Sequence, residues 1–600
     1  MAGTARTTSG PAIPAVRADK EPVQANATLD ATLERGTAAL AARRHDEAEA
    51  CFRAVIAADP LDVTARQYLG VMLSERRRTD EAVTILRTAA ALCGPIGPGT
   101  AAVHNNLANA LRAATEYEEA ESILRELCRV APDTWEHWHN LGLVLKETRR
   151  ENPAIAALRR ACALAPEVGV NHAVLGQALH DMGRLKSAEA ALLRSIELGH
   201  ANDAHVLTVL GNNYRWLGEM DLALDALRRA YECSDKNPGA TSNVAIALTQ
   251  MGRSDEALEY HRLAVTRGPD SRTWRANLGY AELTAGILPD GWESWEFGLG
   301  TPDARGSERN TGVPRWTPSD PGSRVLCYRE QGVGDEILFA SCLPDLAAVS
   351  GDVVYEADSR LVSLFARSFP ECEVRPQSFG LDRSETLSDF DRAIPAGSLP
   401  VHFRRTADRF PAGRRSYLVA DPDRVDRWRD TLGARPGLRV AFAWRSKVKT
   451  AERRVEYTNL VGDWEPLLTI PGVQWVSVQY DDCERELALA ERKFGVRIHR
   501  SDDVDYLDDF EEVSAILTAC DLVVAPRNAV AMLAGALGCP TIVMGNRWDW
   551  SDLGTDTLPW FPSTELVFRH LGEEWAPVID KAAARVRRAA AGKDTRPCST

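Results

Sequence analysis

The chain has 600 residues, 44% of them hydrophobic and 26% charged, with a formal charge of -14. That length exceeds one hydrophobic core and calls for several domains, while the acidity opposes a broad nucleic-acid face, which needs a positive stripe against phosphate. Twelve cysteines stand without a CxxC pair or a His/Cys cluster at zinc spacing, and no segment nears the roughly 18 apolar residues of a membrane span, so a disulfide framework, a metal site and a transmembrane helix are not expected. These features predict a cytoplasmic protein with reduced thiols.

Residues 1–28, "MAGTARTTSGPAIPAVRADKEPVQANAT", lack a continuous apolar stretch and are expected to form a disordered leader. Between 29 and 300, pairs of small residues twelve positions apart recur, led by Gly36, Gly70, Ala108, Gly142, Gly176, Gly211, Ala245 and Gly279 at intervals of 34, 38, 34, 34, 35, 34 and 34. Most second members, Ala48 and Ala82 among them, are followed four positions later by a bulky residue such as Phe52 or Leu86. Small residues let two antiparallel helices touch, a bulky one fills the gap, and prolines such as Pro60 and Pro132 close units. This is the tetratricopeptide (TPR) pattern, here about eight repeats of an α superhelix whose concave face binds peptides. Asn106, Asn140, Asn243 and Asn277 recur two positions before the first small residue. Their amides are candidates for holding an acceptor peptide's backbone; the alternative is a solvated inner helix. Trp292 and Trp295 replace the usual packing residues of the last unit, which is expected to dock onto the C-terminal half of the chain.

A polar stretch at 301–322 reads as a linker. Beyond it short β-rich runs alternate with helical patterns: "RVLCYR", "GDVVYEA", "ECEVRP" and "DRAIPA", then "LRVAFAW", "VQWVSVQ", "VRIHR", "DLVVAP" and "TIVMGN". Such alternation implies parallel sheets with right-handed crossovers. Two series imply two Rossmann-like lobes, at 323–415 and 416–570, with a solvated terminal helix and tail at 571–600. Ligands of such folds bind beyond the carboxyl ends of the strands. The first turn, "EQGVGDE", places Gly332, Gly334 and Asp335 there. The glycines allow close backbone approach or positive φ; Asp335 is either a helix N-cap or a general base for an acceptor hydroxyl. In the second lobe, Arg445, Lys447, Lys449, Arg453 and Arg454 make the densest basic turn, read either as a solvated loop or as a phosphate clamp to which Ser446 adds a hydroxyl donor. Gln479 and Tyr480 end a later strand, and Arg527, Asn528 and Ala529 open another helix at the same side. The acidic "DVDYLDD" at 503–509 precedes a helix and reads as surface, and no DxD-type metal cluster stands out.

A TPR array followed by "REQGVGDEILFASCLPDL", "VAFAWRSK", "VSVQYDDCERELA" and "DLVVAPRNAVAMLAGALGCPTIVMG" resembles the bacterial TPR-containing glycosyltransferases of GT-B fold, and most resembles the flagellin glycosyltransferases of the FlmG type. The resemblance implies a protein O-glycosyltransferase that holds flagellin through its TPR face and transfers a nonulosonic acid from a CMP-sugar to serine or threonine, with the nucleotide sugar as co-substrate and no other cofactor. It places the proposed base on Asp335, the basic donor-phosphate position near Arg445, and the phosphate-holding helix start on Arg527 to Ala529. The last of these stretches is also similar to the donor-site strand and helix of heptosyltransferase-like enzymes, but its turn, "APRNAVAML", lacks the histidine they carry there, so their sugar specificity does not transfer. The alternatives are a TPR scaffold with an inactive GT-B domain, or transfer to a lipid or polysaccharide.

Overall fold

The computed structural model describes residues 24–301, 304–306, 308–377, 389–410, 416–433, 437–447, 457–547 and 549–592. The expected leader up to residue 23, and Lys449, Arg453 and Arg454 of the basic turn, lie outside them. Two compact units, 1–213 and 214–600, divide inside helix Ala204–Leu217 rather than at the expected linker.

From Gln24 to Trp295 the chain forms sixteen α-helices, in sequence eight pairs. The first begins at Gln24, inside the stretch expected to be leader. The interval pattern has a direct steric cause. In the first unit, a Cβ placed on Gly36, Gly70, Gly142 or Gly176 would lie 2.8, 2.4, 2.6 or 2.6 Å from the side chain of Phe52, Leu86, Leu158 or Leu192, each sixteen positions on. Hydrogen bonds between successive repeats supplement this packing: Asn140 Nδ2 donates to Asn105 Oδ1 at 2.9 Å, and His139 Nδ1 lies 2.8 Å from Asn171 Oδ1.

The second unit joins the last repeats to two parallel sheets. The first sheet holds β1 (Arg324–Tyr328), β2 (Asp352–Ala357), β3 (Cys372–Pro376) and β4 (Arg392–Pro395) in the order β3-β2-β1-β4. The second holds β5 (Leu438–Phe442), β6 (Val473–Ser477), β7 (Ile498–His499), β8 (Leu522–Pro526), β9 (Thr541–Asn546) and β10 (Thr564–Arg569). Its order β10-β9-β8-β5-β6-β7 is the doubly wound 3-2-1-4-5-6 arrangement read from the far edge, and the first sheet follows its opening four positions. Burial on both faces explains why these strands read as nearly continuous apolar runs.

Two expectations change here. The described residues of the 301–322 stretch are part of the fold: Trp316 is fully buried, its backbone N–H donates to Ala393 O, and Ala393 N–H donates to Pro314 O, extending the β4 edge. Arg305 is buried with Glu296 and Glu330 at 2.9 and 2.6 Å. Helix Ala576–Ala590 is not a solvated tail either, because Val578, Ile579, Ala582, Ala583 and Val586 pack into the core of the second sheet.

Trp292 and Trp295 dock as expected. Trp292 Nε1 donates to Arg404 O at 2.9 Å and Trp295 Nε1 to Gly397 O at 3.1 Å. Both rings join a cluster with Phe339, Trp550 and Trp560 that ties the last repeat to both sheets.

Candidate functional site

The carboxyl ends of both sheets open into one cavity of about 680 Å³ in the second unit, within the size range of small-molecule sites. The exit of β1 brings Gly332, Val333, Gly334 and Asp335 to its wall. From the second sheet, β5 leads to Ser446, β6 to Tyr480, and β8 to Arg527, Asn528 and Ala529. The loop after β9 adds Asp549, Trp550 and Ser551. Leu338 and Met532 on the helices after β1 and β8 also line it, and the rest of the wall comes from helices of the last repeats, among them Arg215, Trp216, Gln250, His261, Asn277 and Tyr280. Strand order reverses between β5 and β8, the point where doubly wound sheets open a crevice. Asn528 Nδ2 spans that point, donating to Arg445 O at 3.3 Å.

Asp335 is the third residue of helix Val333–Ala340, whose N-cap is Gly332, so the N-cap reading of Asp335 does not hold. Neither Gly332 nor Gly334 has a positive φ, and a Cβ at either would meet only ordinary contacts, so neither reason expected for the glycines is what holds them there. Asp335 Oδ2 comes within 3.4 Å of the place a Cβ on Gly332 would take, and a Cβ on Gly334 would stand 3.8 Å from Ala529 Cα. The start of this helix thereby meets the start of helix Ala529–Ala536, where Asn528 caps by accepting from Ala531 N–H at 3.1 Å. Two positive dipole ends face one cavity.

The basic groups are placed differently from the phosphate-clamp reading. Arg445 turns its guanidinium to Asp481 at 2.9 Å, to Glu486 and to Asp482 O, and does not line the cavity. Gln479 is fully buried, accepting from Trp444 N–H and Arg445 N–H and donating to Arg445 O and Asp481. Lys447 is exposed and off the cavity. Arg527 lines it but grips Asp552 at 2.5 and 3.0 Å and Ser551 Oγ at 2.9 Å, so it braces the loop that carries Trp550. Burial pushes the Asp552 carboxyl up to about 6 against the pull of Arg527. Of the four asparagines only Asn277 lines the cavity, where it also donates to Ser242 Oγ at 3.2 Å; Asn106 and Asn243 are half-buried, and Asn140 is spent between repeats.

Sequence reasoning missed the wall supplied by the repeats. Arg215 donates from Nε to Gln250 Oε1 at 2.7 Å and lies 5.0 Å from the Trp216 ring. His261 is buried beside Thr249, whose hydroxyl donates to Ala245 O, so the Thr249 oxygen accepts from His261 Nε2 at 3.3 Å. Burial pushes that imidazole down to about 3 and keeps it neutral. One signal of the missed wall is in the sequence. Each helix pair turns through a residue of positive φ: Arg43, Arg77, Thr115 and Arg149 in the first four pairs, and Gly183, Gly218, Gly252 and Gly286 in the last four, the last three of these in the second unit. There the turns abut the second sheet's loops, and a Cβ would stand 3.2 Å from Gly572 Cα, 3.0 Å from His570 Cε1 and 3.0 Å from Leu553 O.

The fold and cavity define a TPR protein whose last repeats are built into an α/β region of two parallel sheets. Tetratricopeptide repeat models match residues 33–99, 105–168 and 172–198. Over 404 residues the chain is 32% identical to Protein FlbA of Caulobacter vibrioides, an alignment that takes in 63% of this chain and 66% of that protein. The chain thus spans slightly less than two thirds of that relative's length. Among solved structures, it is similar to the Cut9–Hcn1 hetero-tetramer of the APC/C at 14% identity, covering 45% of this chain and 51% of that one with a TM-score of 0.35. It is similar also to TTC0263, a TPR protein of Thermus thermophilus, at 24% identity over 30% of this chain and 97% of that one, TM-score 0.26. YrrB, a TPR protein with an unusual peptide-binding site, matches at 20% identity over 32% and 95%, TM-score 0.26. No helix among the described residues is long and apolar enough to cross a membrane.

Proposed function

We propose that the chain is a GT-B-type protein O-glycosyltransferase that moves a sugar from a nucleotide donor to a serine or threonine of a protein held by its repeats. One observation carries this reading: the carboxyl ends of two parallel sheets and the helices of the last repeats share a single cavity, with Asp335 on its wall. The donor phosphate would sit between the two helix starts, at Gly332–Gly334 and at Asn528–Ala529, where aligned N–H groups favour negative charge. Ser446 and Tyr480 lie on the nucleotide side, and Asn277 and Tyr280 on the side from which an acceptor would enter. The acceptor hydroxyl oxygen attacks the anomeric carbon, Asp335 takes its proton, and the bond to the phosphate oxygen breaks with its electron pair leaving on the phosphate. Arg445, committed to Asp481 and Glu486, is not needed as a clamp.

The FlmG-type resemblance points to flagellin as acceptor, a CMP-nonulosonic acid as donor and the cytoplasm as the place of reaction. The test is the intact mass of flagellin from cells carrying the wild-type gene, a deletion, or Asp335→Ala. Wild-type flagellin should carry nonulosonic acid mass increments that the other two lack. Equal masses in all three would remove flagellin as the acceptor and favour a scaffold or a transferase with another acceptor.

A further inference from the structure

Asp335 has a neighbour that faces away from the cavity. Glu336 is 2% exposed and lies on the inner side of the same helical turn. One carboxylate oxygen accepts from Asp358 N–H, just past β2, at 2.9 Å; the other stands 2.7 Å from Arg329 Nε, just past β1. Arg329 in turn donates from its backbone to Glu356 O and from Nη2 to Gln331 O, inside the turn that leads to Gly332. Asp358 continues the chain outward: Arg360 donates from Nε to its Oδ1 at 2.8 Å and from Nη1 to Leu507 O at 3.3 Å and to Asp508 at 3.4 Å. A run of alternating charges therefore leads from the Asp335 turn, through the exits of both neighbouring strands, to the loop before helix Phe510–Ala519 beside the second sheet.

We propose that Glu336 is a positioning residue: it locks the exits of β1 and β2 to the first turn of the helix that carries Asp335, so the reach of Asp335 into the cavity depends on a carboxyl buried behind it. That Asp335 is the group positioned rests on the proposed transferase reading; the lock itself does not. The groups that face Glu336 are Arg329, Asp358, Tyr355 on β2 and Cys327 on β1. Its Oε2 and the Tyr355 hydroxyl are both buried without a well-aligned hydrogen bond among the described residues. The balance is thus close between the neutral and the charged carboxyl. Burial pushes the carboxyl up to about 7, with Arg329 pulling the other way.

The test uses the full-length chain with Glu336→Gln, Glu336→Ala and Asp335→Ala. Glutamine keeps an acceptor for Asp358 N–H and imitates the neutral carboxyl, whereas alanine removes the lock. Glu336→Ala should lower the turnover of sugar transfer by about 10²-fold, the cost of roughly 1 Å of misplacement, with little change in KM for the donor. Glu336→Gln should retain turnover near that of wild type at pH 6 and lack the inflection near neutrality expected of the wild type. Amide hydrogen exchange supplies a readout independent of the reaction: residues 331–336 should exchange faster in Glu336→Ala, and Asp335→Ala should leave them at the wild-type rate. Wild-type turnover in Glu336→Ala, an unchanged pH profile in Glu336→Gln, or unaltered exchange in Glu336→Ala would overturn the proposal. If the wild-type chain transfers no sugar, the transferase reading fails, and the exchange measurement still decides the lock.

Discussion

Arg527 illustrates how a single cation can be placed at a cavity without being offered to it. Its guanidinium spans both oxygens of Asp552, which is 4% exposed, and the pair fixes the turn that presents Trp550 and Ser551. Removing one partner of a buried pair leaves the other charge uncompensated, at a cost of about 3–5 kcal/mol. Arg527→Ala should therefore lower the urea midpoint sharply, and Arg527→Ala with Asp552→Ala should recover part of the loss. A donor clamp with no structural role would leave the midpoint of either variant near wild type. Two histidines, His261 buried and His139 half-buried, make a second case. Burial pushes His139 down to about 4 and His261 down to about 3 from an ordinary 6.5. Between those values the unfolded chain binds the extra proton. The stability they confer is complete above pH 6.5 and is lost as pH falls toward 4 and 3, at about 1.4 kcal/mol per pH unit for each group. Urea midpoints should fall from pH 6.5 to 5, and His261→Gln should make that fall shallower; an identical slope in the variant would remove His261 as its source.

At the scale of elements, the turn between the two helices of a repeat is glycine in the three repeats that carry the sheets and also, at Gly183, in the repeat before them. Arginine and threonine hold the positive φ in the first four pairs, so glycine is not demanded by conformation there. At Gly286 the demand is steric as well, since a Cβ would press on Leu553 O at 3.0 Å. Gly286→Arg should cost about 1–3 kcal/mol by overpacking, measured by thermal unfolding, while Arg149→Gly should change stability by only a few tenths of a kcal/mol. Equal losses would mean that backbone conformation alone decides. The same comparison marks what was legible beforehand. Helix pairs and the first nine strands could be read because their signals, a 34-residue spacing and short apolar runs between turns, are local. So could the turns at Asp335, Ser446 and Arg527, which follow strand ends. The direction of Arg445 could not, because Asp481 and Glu486 lie 36 and 41 residues on. Nor could the repeat wall of the cavity, since nothing local in Arg215, Gln250 or His261 tells that a second sheet's loops will close over them. Strand β10 escaped notice because its alternating "TELVFR" reads weakly beside the apolar runs before it.

At the scale of the molecule, the α/β region and the last repeats share one core, so the natural place to divide the chain is not where its helical and β-rich patterns change. Leu283, Leu288, Trp292 and Trp295 pack with Phe339, Trp550 and Trp560 in a single apolar cluster. A buried tryptophan covers on the order of 200 Å², worth roughly 5 kcal/mol at 25 cal/mol per Å², and two of them are lost to the sheets if the chain starts at 301. Total stability of a domain is about 5–15 kcal/mol, so such a fragment should be unstable, bind hydrophobic dye and aggregate. A chain starting near 201, ahead of helix Ala204–Leu217, keeps that cluster and every residue on the cavity wall. It should melt cooperatively and still bind a nucleotide sugar, while losing modification of the protein acceptor if the earlier repeats hold it. Calorimetry of the two fragments decides the structural part: a cooperative transition of similar midpoint in the 301–600 fragment would mean that the last repeats lean on the sheets without supporting them. Should the 201–600 fragment modify its protein acceptor as well as the whole chain does, the acceptor is held by the cavity's own wall, and the first five repeats serve some other partner.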